Sequence, residues 1–329
     1  NPYDTSKSCG GSSGGAAVAL ATGMIPIADG GDMGGSLRNP ASFNNVVGFR
    51  PSPGRVPGYP SMNGWATLSV VGPMARTVQD VALMLQAIAG YDPRSPIAIK
   101  EPASIFAQPL ERDFTDIQLA WSPDLGELQV DPQVTTTIEK QLSVFTDMGC
   151  HVEQTHPDFK DAYDIFQTLR AQGFELSYTD RFAEFGAENF KETIRWNHAQ
   201  GVNLTAGQIS RTHVKRTELY QRVREFLDTY EFLLLPAVQV PPFPIDDEYP
   251  TEINGVKMNT YIDWMMACAY ITVTELPAIS VPCGFTDDGL PVGLQIVGRP
   301  RADFEVLQLA YAFQQATLFY QQKPSVVED

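Results

Sequence analysis

Residues 10–38 read GGSSGGAAVALATGMIPIADGGDMGGSLR, two glycine and serine clusters separated by a short apolar span, and the length of that span decides the fold. Residues 15–22 form an alanine-rich helical stretch closed by Gly23, and residues 24–28 form an apolar strand. About ten helical residues advance roughly 15 Å, and about five extended ones return roughly 16 Å. The two lengths cancel. A strand folded back along its helix therefore delivers the second cluster to the helix N-terminus, and Ser12 and Ser36 become neighbours.

A serine flanked by Gly34 and Gly35 suits nucleophilic attack. Residues without side chains let a carbonyl approach closely and let successive backbone N–H groups converge on a developing oxyanion. One such donor is worth roughly 3 to 4 kcal/mol of transition-state stabilisation. Ser36 still requires a base. Ser12 can relay its proton, but a hydroxyl is a poor terminal acceptor, and a neutral, desolvated lysine would serve behind it. Other readings of the glycines compete. A Walker phosphate loop needs Gly-Lys-Ser/Thr, whereas Ala16 follows Gly15, and the Rossmann fingerprint is absent. Gly10-x-Ser12-x-Gly14 matches the nucleophile elbow of α/β-hydrolases, but that elbow follows a strand and residues 3–8 are polar and irregular.

The 329 residues, 43% of them hydrophobic and 19% charged, are enough to bury a sizeable core. With 23 Lys and Arg against 39 Asp and Glu, the formal net charge of -16 disfavours an unaided nucleic-acid partner and an anionic membrane. No stretch approaches the roughly 18 apolar residues of a membrane span. Cys9, Cys150, Cys268 and Cys283 form no C-x-x-C pair, and the four histidines lack metal-ligand spacing, so neither a metal, a cofactor nor a disulfide framework is expected. The chain opens at Asn1, within what reads as a loop, so an upstream segment of the same protein is expected to precede it. The expectation is a cytoplasmic protein, with any targeting signal lying in that segment and a homodimer left open.

Downstream, Thr77 and Asp80 make a capping box before a helix whose apolar face is Val81, Met84, Leu85 and Ile88, ending at Gly90. Residues 93–109 read as a connector. A strand at 117–121, a helix from Asp131-Pro132 to Met148 and a strand at 150–153 make a β-α-β unit. Residues 161–230 carry helical spacing and read as a helical insertion in a single domain spanning 1–329. A buried strand at 232–235, a proline-rich loop at 240–250 and a helix at 261–270 follow. Two apolar runs, 278–282 and 292–297, flank a turn at 286–289 and predict a hairpin. The last helix spans 303–316.

Several longer motifs accompany the glycine clusters: PASFNNVVGFRPSPGRV at 40–56, VGPMARTVQD at 71–80, LPAISVP at 276–282 and GLPVGLQIVG at 289–298. Together they resemble the amidase signature family, with a match that reaches both ends of the chain and is weakest at 161–230. The resemblance implies an α/β fold, an α/β/α sandwich around a mixed sheet, here N-terminally incomplete. It implies an amide hydrolase that works without a cofactor through a Ser, cis-Ser, Lys triad and an acyl-enzyme. Ser36 is then the nucleophile and Ser12 the bridging serine, whose peptide is expected to be cis. The oxyanion hole falls on the backbone N–H groups of Met33, Gly34, Gly35 and Ser36. Asp32 and Arg38 hold the loop, although taken alone they read equally well as a surface ion pair or turn cap, and Ser13 is a loop hydrogen-bonder.

In the family the triad lysine precedes the Gly/Ser motif. Lys7 is too close to that motif, and the remaining lysines match no triad position. The chain thus reads as the C-terminal portion of an amidase lacking the lysine segment, and alone it is expected not to turn over amides. Trp65, Met62 and the 261–270 helix with Trp264, Met265 and Cys268 are the pocket candidates, although Met and Trp at helical spacing more often fill cores. As a pocket they favour a small, uncharged aryl or alkyl carboxamide, with Cys268 a buried hydrophobe. Two alternatives are an amidase-like subunit of a tRNA-dependent amidotransferase, from which residues 62–69 depart, and a catalytically inactive amidase-like protein, against which the two serines argue.

Overall fold

A mixed eight-stranded sheet organises the chain in a computed structural model that describes residues 1–327. Its strands are β1 (Ile27–Asp32), β2 (Val47–Arg50), β3 (Val70–Ala75), β4 (Gln118–Trp121), β5 (His151–Gln154), β6 (Phe232–Pro236), β9 (Ala278–Phe285) and β10 (Pro291–Gly298); β7 (Glu252–Ile253) and β8 (Val256–Lys257) pair apart from it. The spatial order is β1-β3-β2-β9-β10-β6-β4-β5. Strand β4 runs parallel to β5 and β6, while the other neighbours are antiparallel.

Helices cover both faces because the central strands are apolar on both sides. Phe232 and Leu234 of β6 join a core with the helices α3 (Val78–Ile88), α4 (Pro132–Glu139), α5 (Leu142–Asp147) and α10 (Asp303–Thr317). Leu233 and Leu235 point the other way, into a core with α6 (Ala162–Phe185), α8 (Ala206–Thr229) and α9 (Met266–Val273). This alternation is the period-two geometry of a strand, and a run such as Phe232-Leu233-Leu234-Leu235 can satisfy it only when buried twice. The result is an α/β/α sandwich. A third cluster packs α1 (Gly14–Ala21) and α2 (Arg38–Phe43) under the β1 and β3 end. Helix α7 (Glu192–Val202) completes the helical stretch after β5.

Local chemistry explains most boundaries. Thr77 Oγ accepts the Asp80 N–H at 3.2 Å and starts α3, and the Asp131 side chain accepts Gln133 N–H at 2.8 Å with Pro132 opening α4. Three expectations require correction. The continuous helix from 131 to 148 is broken at Lys140-Gln141 into α4 and α5. Thr135, Thr136 and Thr137 are weak helix formers, and the Thr137 hydroxyl donates to the Gln133 carbonyl at 2.7 Å, a back-bond that bends helices. The helix expected at 261–270 is a 3-10 turn, Asp263–Met265, followed by α9. The strand expected at 24–28 starts later, at Ile27, and runs through Gly30, Gly31 and Asp32, which pair with Gly72, Val71 and Val70. Two of the second cluster's four glycines therefore lie in the strand.

Candidate active site

The two glycine clusters meet. Ser13 immediately precedes α1, and its backbone N–H donates to the Ser36 carbonyl at 3.2 Å, joining loop 10–13 to the turn between β1 and α2. The Gly11–Ser12 peptide bond is cis. Gly10 has φ +73, and a Cβ there would stand 3.1 Å from Pro40 Cα, so the loop can run this close to α2 only without a side chain. Asn44 Nδ2 fastens it by donating to the Cys9 carbonyl at 2.8 Å. Ser12, Ser36, Met33 and Gly34 open into one cavity of about 750 Å³. Among the described residues no direct hydrogen bond joins the Ser12 and Ser36 hydroxyls; the link between the loops is made by backbone.

A buried ion cluster shapes the turn. Asp32, Arg38 and Arg50 are each 0% exposed. Arg38 donates to Asp32 through Nε at 3.0 Å and Nη2 at 2.7 Å, and Arg50 Nη1 adds a contact at 3.3 Å. The same carboxylate accepts the Gly35 and Leu37 N–H groups at 3.1 and 3.2 Å. Burial alone would raise its pKa, but the Arg38 charge and hydrogen bonds, then Arg50, outweigh that and hold Asp32 well below the ordinary carboxylate range. Arg38 continues to the Cys268 carbonyl, Gln295 and Thr272 at 3.1, 2.6 and 3.0 Å, tying the turn to α9 and β10. The surface ion pair that these two residues could have formed is thus replaced by an internal brace. Arg50, Gln295 and Thr272 were not singled out from sequence, although Arg50 and Gln295 lie within the quoted motifs at 40–56 and 289–298.

One correction concerns the expected donors. The Gly35 N–H is engaged by Asp32, and Gly35 does not line the cavity. Its φ of +108 turns that amide into the brace, and a Cβ there would meet Cys268 Cβ at 2.6 Å and Asn39 Oδ1 at 2.7 Å. Met33, Gly34 and Ser36 remain at the cavity. The pocket candidates divide similarly. Trp264 and Met265 line the cavity, whereas Trp65 and Met62, 74% and 75% exposed, are not part of its wall. Cys268 is fully buried behind Gly35, and burial pushes its thiol pKa up to about 12.

Sequence reasoning missed the helical wall. Phe174 and Tyr178 of α6 stack with ring centroids 5.4 Å apart, and together with Tyr261 and Phe243 they give the cavity an aromatic lining. Arg170, Arg181 and Lys191 line it too, with Glu248. Helical periodicity gave no sign that this face of α6 looks into a cavity rather than into a core. Among the described residues no group of three His, Cys, Asp or Glu is placed to hold a metal ion, and no helix is long and apolar enough to cross a membrane.

Comparison with known proteins adds an independent line. The family model described as Amidase matches residues 1–307. An acylamidase of Rhodococcus erythropolis is 31% identical over 327 residues, covering 99% of this chain and 68% of that protein. A glutamyl-tRNA(Gln) amidotransferase subunit of Lactiplantibacillus plantarum is 32% identical over 350 residues, covering 99% and 70%. Among solved structures, a bacterial aryl acylamidase of the amidase signature enzymes superposes with a TM-score of 0.89 at 29% identity, covering 98% of this chain and 69% of the other.

Proposed function

The chain belongs to the amidase signature family and is an amide hydrolase, and we propose that it cleaves a small linear carboxamide by attack of the Ser36 hydroxyl on the amide carbonyl. The observation that carries this reading is the convergence of Ser12, Ser36 and the Met33-Gly34 backbone on one cavity whose turn is locked by a buried carboxylate.

In this reading Ser36 Oγ bonds to the carbonyl carbon while its proton passes to Ser12 and on to a basic group. The carbonyl electron pair moves onto oxygen, where the N–H groups of Met33, Gly34 and Ser36 receive it. Collapse of the adduct expels the amine, which takes the relayed proton, and leaves an ester on Ser36. Water then hydrolyses the ester to a carboxylic acid and restores the serine. Asp32 and Arg38 hold the turn so that its amides need no reorganisation as charge develops. Lys191 is exposed, so it is not the desolvated amine that such a relay calls for. The aromatic wall supports an aryl or alkyl portion beside the amide.

Intact-protein and peptide mass spectrometry after treatment of the full-length protein with a fluorophosphonate tests the assignment. One adduct on Ser36 is expected, absent in Ser36→Ala; labelling elsewhere, with Ser36 untouched, rejects it. The similarity to an amidotransferase subunit supports a second reading, in which the same chemistry works inside a complex. Stable association with partner subunits on co-expression would favour that reading.

A further inference from the structure

Arg170 is the buried charge for which the hydrolytic steps have no use. It is 9% exposed, and its Nε donates to Asn197 Oδ1 at 3.0 Å. Its guanidinium carbon lies 4.5 Å from the centroid of the Phe174 ring, and Nη1 lies 3.9 Å from Met33 Sδ. None of these neighbours is an anion. The other deeply buried arginines are matched differently: Arg38 and Arg50 have Asp32, and Arg55 has Asp303. Among the described residues no carboxylate pairs with Arg170, and burial draws its pKa down to about 10 against weak support from Tyr261 and Tyr178. A desolvated cation without a counter-charge is unfavourable unless something else supplies one.

Its position indicates what that is. The contact with Met33 puts the guanidinium beside the residue that leads into Gly34-Gly35-Ser36, in the wall of the same cavity. A second donor in that wall also lacks a partner: the indole N–H of Trp264, in a side chain 3% exposed. The charge balance agrees. Arg170, Arg181 and Lys191 line the cavity against a single lining carboxylate, Glu248, in a chain whose net charge is -16, so the cavity wall carries the opposite balance of charge to the chain as a whole.

We propose that this cavity takes amides bearing a carboxylate, and that Arg170 binds that carboxylate next to Ser36. The planar guanidinium presents paired donors that fit a carboxylate, a geometry a lysine ammonium cannot reproduce. The proposal rests on the reading of the cavity as the hydrolytic site, and it replaces the expectation of an uncharged substrate with one whose apolar link lies on the aromatic wall and whose end is anionic.

The test is equilibrium binding to the chain carrying Ser36→Ala, measured by isothermal titration. The probes are succinamate, glutaramate and adipamate, each compared with its neutral diamide: succinamide, glutaramide and adipamide. At least one carboxylate should bind about 10-fold or more tightly than its diamide, the size of a charge-assisted pair. Adding Arg170→Met should bring that ratio to about 1, and Arg170→Lys should keep part of it. A ratio of 1 or less at all three lengths overturns the proposal, and so does a preference that survives Arg170→Met. The ratio in the Ser36→Ala chain is informative whether or not either Arg170 variant folds. Fluorophosphonate labelling of the full-length protein separates the two readings: an adduct on Ser36 with no carboxylate preference rejects the anion site alone, whereas a preference without an adduct keeps the anion site and rejects the nucleophile.

Discussion

Asp32→Asn should cost more stability than its near-identical shape suggests. The carboxylate receives five donors: the Gly35 and Leu37 amides, two from Arg38 and one from Arg50. An asparagine keeps one acceptor oxygen and turns the other into a donor, which must then face either Leu37 N–H and Arg38 Nε or Gly35 N–H and the remaining guanidinium nitrogens. Two guanidinium groups, both 0% exposed, also lose their shared counter-charge. Breaking a buried pair in this way typically costs about 3 to 5 kcal/mol. Arg38 retains the Cys268 carbonyl, Gln295 and Thr272, which favours the lower end, about 3 kcal/mol. Urea unfolding followed by tryptophan fluorescence at pH 7 measures it. The pH dependence supplies the sign: a carboxyl held below its ordinary value of 3.8 contributes fully above about pH 4 and loses that contribution as pH falls toward its folded value. The gap between wild type and Asp32→Asn should therefore narrow below pH 4. A loss under about 1 kcal/mol at pH 7, or a gap that stays constant on acidification, would refute the brace.

Other consequences follow from single sites. Gly35→Ala combines a φ of +108 with a Cβ 2.6 Å from Cys268 Cβ, and should lower unfolding free energy by about 2 kcal/mol or more, read from the same urea midpoint. Of the four cysteines, Cys9 alone is not buried, and burial pushes the Cys150 and Cys268 thiols up to about 11 and 12; titration with an aromatic disulfide should count one fast thiol in the native chain and four in denaturant. Trp65→Ala, at a side chain 74% exposed and away from the cavity, should change stability by less than about 0.5 kcal/mol and leave Ser36 labelling by fluorophosphonate at the wild-type rate.

Much of the fold is legible where local chemistry and periodicity agree. The Thr77 cap, the Asp131-Pro132 start, the β9–β10 hairpin and the β-α-β unit of β4 and β5 are written in adjacent residues, and none needs a distant partner to be recognised. The convergence of the loops carrying Ser12 and Ser36 is legible in outline, but the length arithmetic behind it is not, because pairing with β3 shifts the strand from residues 24–28 to Ile27–Asp32 and makes it longer than the helix before it. What could not be read is what depends on long-range closure. Trp65 and Trp264 look alike as aromatic pocket candidates, yet one is exposed and the other lines the cavity. Gly34 and Gly35 look interchangeable, yet the Asp32 carboxylate claims the amide of only one.

The residue types at 10–38 and the spacing between them indicated a helix followed by a strand with a glycine turn at each end, and that the two turns would converge if the strand folded back along the helix. The tertiary structure decided the rest of the site. It placed Arg50, Gln295 and Thr272 around one carboxylate, and set Arg170 of a helix more than a hundred residues away against Met33. Burial is a property of the assembled packing and not of any local segment. The same arginine is a solvated surface charge or an anion receptor according to which face of its helix the sheet leaves open.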